Sequence, residues 1–383
     1  MRLDQPWLED PATQAVCEAV SADGAQVLFV GGCVRNALLG EPVSDLDIAT
    51  DSQPEQVMEL AARAGIKAVP TGIDHGTVTL VKNGIPHEIT TFRKDVATDG
   101  RRAVVAFSTD IAEDARRRDF TMNAIYARPD GEVVDPLGGL TDIAGRRVRF
   151  IGTAENRIRE DYLRSLRYFR FHAWYGDHAL GFDPDALAAI AANLDGLASL
   201  SKERVGAELL KLLAAPDPAP SVAAMRQAGV LAQVLPGADD RALAPLIHLE
   251  AGRAASGIRR LAALGGDGLQ ETLRLSKAQA SHLVAIRAAA AGTAGAGELG
   301  FRLGAEMALD ALLLRAALLE QPLSSNLETD IAQGVDAEFP VKARDLLPEL
   351  KGPALGKALK KLQADWIASG FSLSREELLN SFR

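Results

Sequence analysis

The stretch VGGCVRNALLGEPVSDLDIAT, Val30 to Thr50, decides how the first part of the chain folds. The apolar run Val27–Val30 leads into it and reads as a short strand. Gly31 and Gly32 end that run, where glycines let backbone amides approach phosphate oxygens closely. The helix expected next adds the dipole of its amino terminus. Arg35 falls in the first turn, within reach of a phosphate. Ten residues beyond Arg35, Asp45 and Asp47 flank Leu46 and precede Ile48. Alternate residues of a strand share a face, so a strand here presents both carboxylates together while Leu46 and Ile48 point into the core. Such a pair repels unless a proton or cation sits between its members. Carboxylate oxygens suit Mg²⁺, which keeps waters and takes further ligands from substrate phosphates. Two such ions could activate an attacking hydroxyl and stabilise a leaving pyrophosphate. An isolated Asp-x-Asp is more simply a solvated turn, and the Gly-Gly-x-Val-Arg before it changes that balance.

Working outward, the first ~150 residues hold short β-type runs at Val27–Val30, Leu46–Ala49, Thr77–Val81, Pro86–Phe92, Ala103–Phe107 and Glu132–Asp135, with helical stretches such as Glu55–Ala64 between them. This pattern predicts an α/β or α+β domain. In the strand His87–Phe92, Glu88, Thr90 and Phe92 share a face. Pairing with the Asp45–Asp47 strand brings Glu88 to the same carboxylates as a third candidate metal ligand, and a surface glutamate is the plain alternative. From about Asn156 the pattern is helical to the end, rich in alanine and leucine, with breaks at Pro216–Pro220 and Gly292–Gly300.

The 383 residues carry a net charge of −9, which argues against a broad positive coat. Between Arg93 and Arg170, however, 16 Lys/Arg face 13 Asp/Glu, so a focused basic cleft remains open. The two cysteines, Cys17 and Cys33, form no ligand-spaced cluster. The amino terminus does not read as a signal peptide, and no apolar run approaches the ~20 residues of a membrane span. The expectation is a soluble cytoplasmic protein.

Two arginine-rich motifs follow. Arg116–Ala124 (RRRDFTMNA) is a charge run, which is usually a solvated face; the functional alternative has Arg118 binding a triphosphate, Asp119 accepting from a ribose hydroxyl and Asn123 fixing the loop. Glu160–Phe171 (EDYLRSLRYFRF) reads as one helix with Leu163, Leu166, Phe169 and Ala173 as its buried stripe. Asp161, Arg164 and Arg167 lie on the opposite arc and Arg170 at its edge. The plain reading of Asp161 and Arg164 is an i, i+3 surface pair worth a few tenths of a kcal/mol. The functional reading is sharper. Cytosine and adenine show an amino donor beside a ring-nitrogen acceptor, whereas uracil and guanine show the reverse. A carboxylate only accepts and a guanidinium only donates. Asp161 beside Arg164 therefore complements C and A and mismatches U and G, and unpaired polar groups make such rejection strong.

GGCVRN…DLD, RRDFTMNA, DPLGG (Asp135–Gly139) and EDYLRSLRYFRF, in this order, resemble the class II tRNA nucleotidyltransferases, the CCA-adding relatives of bacterial poly(A) polymerase. The likeness is dense over residues 25–175 and extends weakly through Leu200–Leu209. It implies an α+β fold: a polymerase-β-like nucleotidyltransferase head with a mixed five-stranded sheet (1–150), then an all-α neck that reads the base (151–215), and a helical body and tail that bind tRNA (216–383). It implies Asp45 and Asp47 as catalytic metal ligands. Gly32, Arg35 and Arg118 would contact phosphates and Asp119 the ribose, with Asp161 and Arg164 as a protein template supported by Arg167 and Arg170. The implied cofactor is Mg²⁺ and the partners are tRNA, CTP and ATP, with no DNA and no membrane. A glycine-bearing loop at Asp95–Arg102 would remodel the pocket between C and A. One departure stands out: the family usually has aspartate after the motif arginine, and this chain has Asn36. The expected reaction is template-independent addition of CCA to tRNA. Poly(A) polymerase or A-only addition is the nearest alternative, and a non-catalytic RNA-binding protein is the other.

Overall fold

A computed structural model describes residues 1–99, 102–347 and 349–382. The chain divides into two compact units, Met1–Val234 and Leu235–Arg383.

The first unit is built on a mixed sheet of seven strands: β1 (Val27–Val30), β2 (Asp47–Thr50), β3 (Lys67–Gly72), β4 (Thr77–Lys82), β5 (Ile85–Thr91), β8 (Tyr126–Ala127) and β9 (Val133–Val134). Their order is β3-β4-β5-β2-β1-β8-β9, with only β2 and β5 parallel. Five strands were expected. The two without a counterpart among the expected runs are β8, two residues long between β1 and the edge strand β9, and β3, an edge strand that carries Pro70 and an irregular register, which an edge tolerates because its outer amides need no partner. A separate hairpin of β6 (Arg93–Asp99) and β7 (Arg102–Phe107) leaves the sheet. The segment expected to be a loop, Asp95–Arg102, lies mostly within these strands, and its turn at 100–101 is outside the described residues.

Leu28, Val30, Ala49, Phe92, Ala115, Tyr126 and Ile151 close one core beneath the sheet. On the other face lie Phe29, Ile48 and Ile89, where the helix Pro11–Ser21 buries Val16, Cys17 and Val20. Helices complete the unit. Two of them, Leu163–Tyr175 and Lys202–Leu213, pack together and supply one wall of the site.

Among its described residues, the regular elements of the second unit are all helices, beside one isolated bridge between Ala238 and Gly265. Val341, Leu346, Leu362, Trp366 and Leu378 form a core within it. Helices Ala296–Leu303 and Leu327–Asp336 touch backbone to backbone. A Cβ on Gly334 would lie 1.9 Å from the Gly297 carbonyl oxygen, so no larger residue fits there. Among the described residues, no helix is long and apolar enough to cross a membrane.

Candidate nucleotide-binding site

Strand β1 delivers the chain into Gly31, whose φ of 75° lies where residues with a Cβ are strained. A Cβ there would stand 3.6 Å from Arg118 Nη1 and 3.9 Å from Asp47 Oδ2, between the two charges that face the turn. The helix Gly32–Leu39 starts directly after it, with its first amides free of intrahelical partners.

Asp47 opens β2 and stands opposite Glu88 of β5 in the one parallel pairing. The strand begins at Asp47, so Asp45 does not alternate with it on a strand as expected. Ladder bonding to β5 starts only at Asp47, and the segment before it is irregular and exposed. Ser44 Oγ donates to Asp45 Oδ2 at 2.9 Å, and Leu46 is only half-buried instead of joining Ile48 in the core. The three carboxylates still feel one another. Burial pushes the Asp47 carboxyl up, Arg118 pulls it back, and the charge of Asp45 adds to the rise. Glu88 is pushed up by burial and by Asp47. Such mutual repulsion is what a divalent cation relieves, so this donor set fits one. Among the described residues, no three His, Cys, Asp or Glu side chains are gathered to hold a metal unaided. A cation held here would need water and substrate oxygens to complete its shell.

Asp47 lines a cavity of about 610 Å³ whose walls also include Gly31, Gly32, Arg35 and Asp119. Arg118, Asp161, Arg164, Arg167 and Arg170 line it as well, whereas Asp45 and Glu88 do not. The structure thus brings together every expected site residue except those two, which stand beside Asp47 outside the cavity wall.

Most of the charged wall residues are tied down. Arg118 donates to Asp114 Oδ2 at 2.9 Å and to the Tyr126 hydroxyl at 3.2 Å. Burial alone would lower its pKa, but these two groups outweigh it and hold the guanidinium above its ordinary range. Asp119 is buried, accepts from Arg167 Nε at 2.7 Å and takes the Asn123 amide and its neighbour's backbone N–H on Oδ1. Burial raises its pKa, yet these partners keep the carboxyl below its usual value. Arg35 reaches Asn123 Oδ1 at 2.6 Å and the Tyr175 hydroxyl at 2.9 Å. The Phe171 ring is surrounded by the guanidiniums of Arg35, Arg167 and Arg170 at 5.1, 5.3 and 4.6 Å.

The segment Glu160–Phe171 is not one helix. Ala154–Glu160 ends at Asp161, and a new helix runs from Leu163 to Tyr175 with the expected stripe Leu163, Leu166, Phe169 and Ala173 buried. Asp161 turns the corner by accepting from the Leu163 amide at 3.1 Å. Its other oxygen accepts from Arg204 at 2.6 Å, so Asp161 and Arg164 are not the ion pair of the simple i, i+3 reading. Arg164 is held by Glu160 at 2.6 Å and by the carbonyls of Arg157 and Arg117.

Three residues missed as site residues come from the helix Lys202–Leu213. Arg204 pairs with Asp161, Glu208 takes Arg170 at 2.5 Å and faces Arg167 at 3.8 Å, and Lys211 lines the cavity. Their i, i+4, i+7 spacing marks one helical face, a signal available in the sequence.

Residues 27–149 match the family model described as the Poly A polymerase head domain, and 180–241 match the probable RNA and SrmB-binding site of polymerase A. The chain is 42% identical over 217 residues to the human mitochondrial CCA tRNA nucleotidyltransferase 1, covering 56% of this chain and 50% of that protein. It is 44% identical over 202 residues to a CCA-adding enzyme of Leuconostoc citreum, covering 52% and 48%. The matched part spans about half the length of these curated relatives. The crystal structure of the Bacillus stearothermophilus CCA-adding enzyme in complex with CTP superposes with a TM-score of 0.78 and 30% identity, over 96% of this chain and 94% of that one. With likeness extending over nearly its whole length, the chain belongs to the class II tRNA nucleotidyltransferase and poly(A) polymerase family.

Proposed function

We propose that this chain adds C, C and A in turn to the 3′ end of tRNA, drawing on CTP and ATP and releasing pyrophosphate. One observation carries the reading. A single cavity joins a phosphate-binding end, formed by the Gly31 turn, Arg35 and Arg118 beside Asp47, to an acceptor–donor edge formed by Asp161 and Arg164.

In this reading Gly32 and the first amides of its helix, together with Arg35 and Arg118, bind the triphosphate and orient its α-phosphorus. The tRNA 3′ hydroxyl attacks that phosphorus in line, and the bond to the β,γ-pyrophosphate breaks. Asp45 and Asp47, with Glu88 beside them, would hold Mg²⁺ together with substrate oxygens and water, and the ion would supply neutralisation of the phosphate charge and a lowered pKa for the attacking hydroxyl. Asp161 accepts from the exocyclic amino group of C or A while Arg164 donates to the ring nitrogen. Arg204 and Glu160 fix the two in place, and Arg167 and Arg170 support them through Glu208 and Phe171. Asp119, spent on Arg167 and Asn123, contributes to the ribose end mainly by holding that wall. Residues 1–150 act as a polymerase-β-like head, 151–215 as a neck and 216–383 as body and tail gripping tRNA. The cytoplasm is the compartment that suits this substrate.

The test incubates tRNA lacking its 3′ CCA with the chain, Mg²⁺ and each nucleoside triphosphate mixture, then sequences the ends. Ends reading CCA are expected when CTP and ATP are both present. A-only or poly(A) ends overturn the assignment, as does retention of tRNA with no incorporation.

A further inference from the structure

Arg35 is a buried cation whose hydrogen-bonding partners are all neutral. Its Nε and Nη2 donate to Asn36 Oδ1 at 3.1 and 2.8 Å, Nη1 to Asn123 Oδ1 at 2.6 Å and Nη2 to the Tyr175 hydroxyl at 2.9 Å. Its guanidinium carbon stands 4.1 Å from the centre of the Tyr175 ring. It is 7% exposed, and burial lowers its pKa. Five other cavity arginines differ. Arg118, Arg164, Arg167, Arg170 and Arg204 each hold a carboxylate. Among the described residues, no carboxylate bonds to Arg35.

Asn36 does a second thing that a carboxylate cannot. Its Nδ2 donates to the Pro42 carbonyl at 2.7 Å, in the segment leading to Asp45. One amide therefore accepts from the cation on one side and donates to the loop on the other. An aspartate of the same shape would neutralise Arg35 through a charge-assisted pair and set a carboxylate against the Pro42 oxygen with no proton between them.

We propose that Asn36 is a positioning residue for substrate phosphate: its neutral amide aligns Arg35 without pairing the guanidinium with a carboxylate, which keeps that charge for the triphosphate. The proposal rests on reading the cavity as a nucleotide site. Binding measured apart from turnover distinguishes failure of one from failure of the other.

The experiment titrates CTP, and cytidine to millimolar concentrations, into the full chain in Mg²⁺ by calorimetry, for the parent, Asn36→Asp and Asn36→Ala. Thermal unfolding of each variant serves as the folding control. Asn36→Asp is expected to weaken CTP roughly tenfold, the loss of one good charge contact, and to change cytidine by less than about twofold. Asn36→Ala loses the alignment without adding an anion and is expected to weaken CTP by only about threefold. In the incorporation assay Asn36→Asp should raise KM for CTP with kcat nearly unchanged. Equal weakening of CTP and cytidine overturns the proposal, and so does Asn36→Ala proving worse than Asn36→Asp, since either marks a merely structural amide. A parent chain that binds neither ligand overturns the nucleotide reading itself.

Discussion

At the scale of single residues the site is a balance of unlike electrostatic tasks. Asp119 and Asp114 are carboxylates whose partners keep them ionised, each held below its usual range despite burial. Asp47 is the reverse case, pushed up by burial and by Asp45. A carboxyl whose folded pKa exceeds its unfolded value lends stability in its protonated form, and that contribution is lost as pH rises through the folded value. At neutral pH the ionised Asp47 is therefore a cost the fold bears for its chemistry. Asp47→Asn should raise the unfolding midpoint slightly at pH 7 without divalent cations. That advantage should close as the pH falls through the raised pKa of Asp47, and also when Mg²⁺ is added. Incorporation should fall by roughly 10²–10³-fold or more in the same variant. Unchanged stability across that titration would show that the Asp47 charge is already compensated by Arg118.

At the scale of elements, the helix Lys202–Leu213 sets the geometry of the proposed base-reading edge although the family likeness reaches it only weakly, through Leu200–Leu209. Arg204 holds one oxygen of Asp161 at 2.6 Å and leaves the other to the Leu163 amide. Arg204→Ala frees that carboxylate to rotate. Discrimination against UTP and GTP should then drop about tenfold, with CTP incorporation reduced less, as seen by sequencing products made in single-nucleotide mixtures. Retained discrimination would show that the corner at Asp161 is rigid without Arg204. The same elements show what a sequence makes legible. The strand–glycine turn–helix that begins at Val27 is readable because its signals are local: an apolar run ended by the pair Gly31–Gly32, with Arg35 in the turn that follows. The break at Asp161–Tyr162 carried no proline or glycine to reveal it. The local Asp161–Leu163 bond is joined there by tertiary contact, since the Tyr162 ring fills the space beside Gly196, where a Cβ would come within 1.9 Å of it. The bond from Arg204 to Asp161 spans 43 residues and leaves no periodic trace. β3 was hidden by Pro70, which reads as a strand breaker unless the strand is already known to be an edge.

At the scale of the whole molecule, an acidic chain of net charge −9 concentrates its cations where it needs them. The cavity wall counts eight basic side chains against three carboxylates, enough to attract a triphosphate without a positive coat. The second unit shows the opposite use of charge. Arg259 and Arg260 share Glu250, Arg259 also donates to Asp310 Oδ1 at 2.6 Å, and His282 Nε2 meets Asp310 Oδ2 at 2.9 Å. The two arginines, Glu250 and Asp310 are each 4% exposed or less. The alanine- and leucine-rich sequence predicted helices here and nothing of this cluster, because its members are up to 60 residues apart, from Glu250 to Asp310. Such a cluster is weak evidence of net stability, yet removing one member strands the others in a low-dielectric interior. Asp310→Ala should destabilise Leu235–Arg383 by about 3–5 kcal/mol. Because each unit has its own core, peptide-resolved amide hydrogen exchange should show protection collapsing around the helices Gly257–Leu264, Lys277–Ala291 and Ala305–Leu319. The sheet of Met1–Val234 should keep its protection and its affinity for CTP. Equal loss of protection in both units would mean that they unfold together, and that the charge cluster stabilises the entire chain.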